Sequence, residues 1–200
     1  MTSAGGRNRR ADAQRSRASV LDAAVDLLGA DPKCSIEAIA ASAGVTRQTV
    51  YAHFPSRKQL LDAAFQRATD AAVAALDAVD LDSGSATEAM LRLLDTSAQI
   101  TEKHRPLFRM ANAIPVSPAQ NRQRHSLAVE RLKRVIMRGQ RSGDFDDQLS
   151  ADWLATVIIL MGHAAGDEAD AGSMARDEAT ATVRTGVLRV LGATTPRAPG

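Results

Sequence analysis

Cysteine is almost absent from this chain of 200 residues: Cys34 stands alone. An intramolecular disulfide framework and a paired-cysteine metal site are thereby excluded. Aromatic residues make up only 3% of the chain, while 44% is hydrophobic and alanine dominates the apolar positions. That balance disfavours sheets, which draw on aromatic and β-branched residues, and favours closely packed helices. The expected fold class is all-α. No apolar run is long enough for a bilayer crossing of roughly 20 residues; the longest, from Trp153 to Gly166, is interrupted by Thr156 and His163. It reads as a buried helix. The N-terminal MTSAGGRNRR lacks the apolar stretch of a secretory signal, so the expected compartment is cytoplasmic. Also missing are G-x-G-x-x-G, the P-loop, H-E-x-x-H and G-x-S-x-G, and the four histidines are scattered. No cofactor or metal is expected. Scattered residues can still converge in space, so an all-helical enzyme stays open as an alternative.

The length suits one or two compact domains with a core of their own. The net charge is only +2, but residues 1–58 carry nine Lys or Arg against five Asp or Glu, while residues 59–200 carry sixteen against eighteen. The basic excess is N-terminal. Such a bias fits attraction to a polyanion and equally fits a solvated tail.

Periodicity divides the chain as follows. Residues 1–11 are small, polar and basic and read as a disordered arm. Residues 12–28 form a helix with Val20, Leu21, Ala24, Val25 and Leu28 on one face. Gly29 and Asp31-Pro32 stop it. Ser35 is placed to cap a short helix burying Ile36, Ile39 and Ala40, Gly44 supplies a tight turn, and Thr46 caps a third helix ending near His53. Ser56 and Gln59 form a capping box for a helix reaching about residue 79. Further helices are expected at 86–103, 105–113, 118–141, 150–168 and 173–191, with Ser117-Pro118 as a start signal and Gly143 as a stop. No repeat appears. Residues 193–200 read as a disordered tail.

Ala40, Gly44 and Val50 have helix-turn-helix spacing: a small residue where two helices cross, a glycine in the turn and a branched anchor on the second helix. With Val45, Val50 and Phe54 facing inward, Arg47, Gln48, Thr49 and His53 face outward. A helix fits the DNA major groove, where Arg pairs with guanine, Gln with adenine, and a Thr methyl meets the thymine methyl. A helical hairpin with an ordinary solvated face is the alternative. Arg57 and Lys58 in the first turn of the next helix oppose its dipole, an arrangement that makes sense with a phosphate docked there. Tyr51 is either a phosphate contact or a core residue with a wet tip.

From the helix ending L-L-G, through S-I-E-A-I-A-A-S-A-G-V, to T-R-Q-T-V-Y-A-H-F-P-S-R-K-Q-L-L, the sequence resembles the DNA-binding domain of the TetR family of bacterial transcriptional regulators. The resemblance covers residues 12–61. It implies a helix-turn-helix domain over 12–55 and a helical effector-binding and dimerisation domain over 56–192. Thr46, Arg47, Gln48, Thr49, Tyr51 and His53 then lie at DNA-contacting positions. Independently of the resemblance, Ser35 is a further candidate contact, and Arg15 and Arg17 at the start of the first helix are better placed than Arg7, Arg9 and Arg10, which read as a solvated tail, to follow the minor groove or the phosphates. Arg57 stands where the family usually has a phosphate-binding lysine, and Lys58 replaces the usual acidic neighbour.

One helix-turn-helix reads one half-site, so a homodimer on a palindromic double-stranded operator is expected. Val183, Gly186, Val187, Val190 and Leu191 form the candidate dimer stripe, beside a preceding helix that is apolar nearly all round. The resemblance places a small-molecule effector among the later helices. Candidate lining residues are Met90, Leu94, Phe108, Met110, Met137, Trp153 and Met161, with His104 and His163 as polar anchors; Met suits an adaptable apolar surface. The basic face of 118–141 reads most simply as solvated, with an acidic ligand or partner as the alternative. Together these make a ligand-released repressor the leading reading. A constitutive DNA-binding regulator and a helical interaction module without DNA are the others.

Overall fold

The computed structural model describes the backbone of residues 4–112 and 118–193, and the side chains of 11–109 and 125–193. All regular structure among them is helical: α1 (Ala4–Ala30), α2 (Ile36–Ser42), α3 (Arg47–His53), α4 (Arg57–Asp77), α5 (Ala86–Asn112), α6 (Pro118–Ser142), α7 (Ala151–Ala171) and α8 (Arg176–Val190). Two compact units result, Met1–Ala74 with Ile100–Pro115, and Ala75–Gln99 with Val116–Gly200. No helix among the described residues is long and apolar enough to cross a membrane.

The first unit is built on α1, whose Val20, Leu21, Ala24 and Leu28 are buried at helical spacing. Ile36, Ile39 and Ala40 of α2, Val50 of α3, and Phe54 just beyond it close over that face. From α4, Leu60, Ala64 and Ala68 complete the core at i, i+4 and i+8, the two alanines letting the helix approach closely. Both short helices start where their caps dictate: Ser35 Oγ accepts from Ala38 N at 3.1 Å, and Thr46 Oγ1 from Thr49 N at 3.1 Å. At seven residues each, neither would persist alone; packing of the buried residues holds them.

In the second unit, Ala89, Met90 and Leu93 of α5 meet Val135 and Ile136 of α6, Leu154 and Ile158 of α7, and Val187 of α8, with Leu191 just beyond it. Ser150 caps α7, and Gly172 at φ 77° ends it. The connection between α4 and α5 is tied down by arginines. Arg131 pairs with Asp77 and Arg134 with Asp82, while Arg92 donates to the Asp80 and Ser83 carbonyls at 3.0 and 2.6 Å. The Ser83 hydroxyl and the backbone N–H groups of Ser83 and Asp82 hold the Asp80 carboxyl down to about 2. This part of the basic face of α6 therefore pins a loop and is not merely solvated.

Four expectations are corrected. The basic arm is helical from Ala4: α1 runs through Gly5 and Gly6 because no proline or competing cap interrupts a stretch rich in Ala and Arg. The two helices expected at 86–103 and 105–113 are one, α5, with Pro106 inside it. Proline removes one hydrogen bond, but buried His104 and Leu107 on either side keep the helix packed. Val187 and Leu191, expected at a dimer interface, are completely buried in their own unit. Met90, expected to line a pocket, is likewise a core residue, with no exposed surface.

Candidate nucleic-acid interface

The turn between α2 and α3 is closed by its own backbone. Gly44 N donates to Ala41 O at 3.1 Å and Val45 N to Ala40 O at 3.0 Å, with Gly44 at φ 67°. A left-handed residue here costs a non-glycine roughly 1–2 kcal/mol, which explains the glycine. The turn sets α3 with Val50 and Phe54 inward and Arg47, Gln48 and Tyr51 exposed; Thr49 is half-buried. Of the four residues expected to face outward, Arg47 and Gln48 do so, while Thr49 and His53 are half-buried.

The exposed side chains are already organised. Arg47 Nη1 lies 2.7 Å from Glu37 Oε1, and its guanidinium sits 5.4 Å from the centre of the Tyr51 ring. Glu37 is held below the usual carboxylate range, chiefly by hydrogen bonding to its own backbone N–H in the first turn of α2; desolvation opposes this, and the charge of Arg47 and the Ser35 hydroxyl add smaller lowering effects. The pair is solvent-exposed and therefore weak, so Arg47 can exchange Glu37 for a base edge. Thr46 and Thr49 hydroxyls lie 2.9 Å apart, with Thr46 also serving as the cap. That leaves the Thr49 methyl as its distinctive contact group.

At the edge of this face, His53 Nε2 is 3.3 Å from Ser16 Oγ, joining α3 to α1. Arg17 stacks over Phe54 at 5.1 Å, and Arg15 pairs with Asp12; both arginines are exposed. Lys58 is exposed and 2.7 Å from Asp62 one turn on. Ser56 Oγ caps α4 by accepting from Gln59 N at 3.2 Å. Arg57 departs from expectation. It turns inward, donating from Nη1 to the Cys34 carbonyl at 2.8 Å and from Nη2 to that of Pro32 at 3.0 Å. Burial pushes the half-buried Cys34 thiol up, with Arg57 opposing, which makes it a poor nucleophile. Glu37 and Ser16 escaped sequence reasoning, since nothing in local spacing links them to Arg47 and His53.

The expected effector residues are divided between the two units. Within the first unit, His104 is buried, its Nδ1 lacks a hydrogen-bond partner, and its ring meets Phe108 edge-on at 5.8 Å; Phe108 in turn meets Phe65 at 6.0 Å. Within the second, Leu94 and Met161 are half-buried, while Met137 and Trp153 are exposed (49% and 56%) because α6 and α7 turn their other faces to the core. His163 is exposed, with its ring 4.9 Å from that of His125. The side chain of Met110 lies outside the described residues. A surface cleft of about 320 Å³ is lined by Leu76, Asp77, Val79, Leu81, Glu130, Arg131 and Arg134, none of them an expected pocket residue. Of the expected dimer residues, Val190 is exposed, Val183 is half-buried, and Gly186 lies against Met161.

Residues 20–64 match the family described as bacterial regulatory proteins, tetR family. Over 87 residues, 44% of this chain, the sequence is 34% identical to the HTH-type transcriptional repressor LfrR of Mycolicibacterium smegmatis; the aligned part spans about half of that relative, 46%. The fold is similar to a crystal structure of LfrR from Mycobacterium smegmatis in complex with proflavine, at TM-score 0.61 and 25% identity, covering 92% of this chain and 99% of that one. A TetR-like transcriptional regulator from Rhodococcus sp. is similar in fold at TM-score 0.60 and 24% identity, covering 90% of this chain and 97% of that one.

Proposed function

Because residues 20–64 match the tetR family of bacterial regulatory proteins, we propose that the chain is a repressor of that family that reads a palindromic operator as a homodimer and is released by a small, mostly apolar ligand. The outward face of α3 carries the reading: Arg47, Gln48 and Tyr51 are exposed on a helix whose opposite side, Val50 with Phe54 beyond it, is buried. Arg and Gln are the side chains that pair bidentately with guanine and adenine. In this reading Thr46, Thr49, His53 and Ser35 frame the recognition helix, and Arg15, Arg17 and Lys58 contact the phosphate backbone.

Two exposed faces support dimerisation. Trp153 and Leu160 on α7 and Val190 on α8 are large apolar residues in contact with solvent, 56%, 58% and 37% exposed. Their helices pack together and are joined by a short connection, so the start of α7 lies alongside the end of α8. This patch replaces the core residues Val187 and Leu191 as the interface. For the effector, the support is the buried, unpartnered Nδ1 of His104 beside Phe108 and Phe65, together with LfrR, whose structure holds proflavine. An imidazole nitrogen amid aromatic rings suits a mostly apolar molecule with one polar group.

Footprinting on the DNA upstream of the gene tests the repressor reading, with a protected pair of inverted half-sites expected. Absence of any protected site would discard it. Release of the labelled operator by small aromatic compounds, followed by fluorescence anisotropy, tests the ligand; if none releases it, a constitutive regulator replaces the inducible one.

A further inference from the structure

The five-residue connection from α1 to α2, Asp31 to Ser35, must turn the chain sharply, and its backbone groups have to be satisfied outside any helix. Part of this is local: Lys33 N donates to Asp31 Oδ1 at 2.8 Å, and Cys34 N to Asp31 O at 3.0 Å. The carbonyls of Pro32 and Cys34 are instead gripped by the two ends of one guanidinium, Arg57 Nη2 and Nη1, at 3.0 and 2.8 Å. A planar fork suits two fixed acceptors in a way that a lysine ammonium does not. Arg57 is half-buried, whereas the Lys58 side chain beside it is 83% exposed.

The next residue, Ser35, caps α2, and α2 packs on α3. We infer that Arg57 is a positioning residue: the first turn of α4 holds the α1–α2 connection through it, and so fixes the placement of α2 beneath the recognition helix, without contacting phosphate. A shift of the start of α4 is then transmitted to α2 through two hydrogen bonds. The role concerns the DNA-binding site proposed above and rests on that reading for its meaning, though not for its geometry.

Two readouts separate positioning from phosphate contact. The first needs no DNA: amide hydrogen exchange over α2 in Arg57→Gln and Arg57→Lys. Arg57→Gln should speed exchange of the α2 amides about tenfold or more while the amides of Val20 to Leu28 stay as in the wild type; Arg57→Lys, able to reach one carbonyl, should fall between. The second is the dependence of operator affinity on salt. Losing one phosphate contact lowers the slope of log K against log salt by about 0.9. Arg57→Gln should weaken the operator about tenfold with the slope unchanged. Unchanged α2 exchange in both variants, or a slope lowered by about one, overturns the inference. Failure of the wild-type protein to bind its upstream DNA would defeat the repressor reading alone and leave the exchange result standing.

Discussion

At the scale of single residues, what matters is which cations are free to change partners. Arg47 is exposed, and both its partners, Glu37 and the Tyr51 ring, are exposed too, so DNA competes for it at little cost. Arg47→Ala and Gln48→Ala should each weaken the operator by about ten- to a hundredfold and relax preference at one base position, the range expected for loss of a bidentate base contact. Electrophoretic mobility shifts on a set of single-base operator variants measure both effects. Equal loss on every variant would mean that Arg47 touches only the backbone. A second residue-scale effect lies at His104. Its burial, with the nearby charge of Lys103 adding and Asp26 opposing, lowers its pKa below the ordinary 6.5. The unfolded chain therefore binds a proton near pH 6.5 that the folded chain resists. Stability is complete above that pH and falls as pH drops below it, until the lowered folded pKa is reached. His163, whose ring lies against that of His125, shifts in the same direction through partial desolvation and then the charge of His125, with Asp167 opposing, so it adds to the wild-type slope. Denaturant midpoints at pH 7.5 and 5.5 should differ less in His104→Leu than in the wild type. An identical difference would remove His104 from the account.

Among the elements, the short helices depend most on single positions. Gly44 has no atom within 4 Å of the place a Cβ would occupy, so Gly44→Ala creates no clash there. The cost comes from its φ of 67° alone. A loss of about 1–2 kcal/mol is expected, read as a lower midpoint in urea with an unchanged slope of unfolding. No loss would indicate that the turn relaxes to a negative φ. The element that sequence reading divided wrongly, α5, shows the converse. Proline costs about 3 kcal/mol within a helix, yet Pro106 lies inside α5. Leu107 beside it belongs to a core cluster whose other buried members, Val20 to Ala68, are distant along the chain, and so local pattern could not reveal that packing.

For the whole molecule, assembly is the property most open to test. Leu160→Glu places a charge on the exposed apolar face of α7 and should produce a folded monomer that has lost most operator affinity. Val187→Asp puts a carboxylate into a fully buried site and should unfold the second unit. Sedimentation velocity with circular dichroism distinguishes the two. A Leu160→Glu protein that remains dimeric places the interface elsewhere on the chain.

Sequence alone determined the all-helical class, the capped starts at Ser35 and Thr46, the glycine turn, and the outward placement of Arg47 and Gln48. Each of these follows from neighbours within one or two helical turns, where spacing fixes geometry. Tertiary structure decided what depends on distant partners. Arg57 and Lys58 are adjacent and alike in charge, yet one grips carbonyls 23 and 25 residues back while the other meets solvent. Likewise Val187 and Val190 both belong to an apolar stripe, but only packing decides that the first is core and the second surface. A helix's periodicity defines its faces; which face is covered depends on what the rest of the chain brings against it.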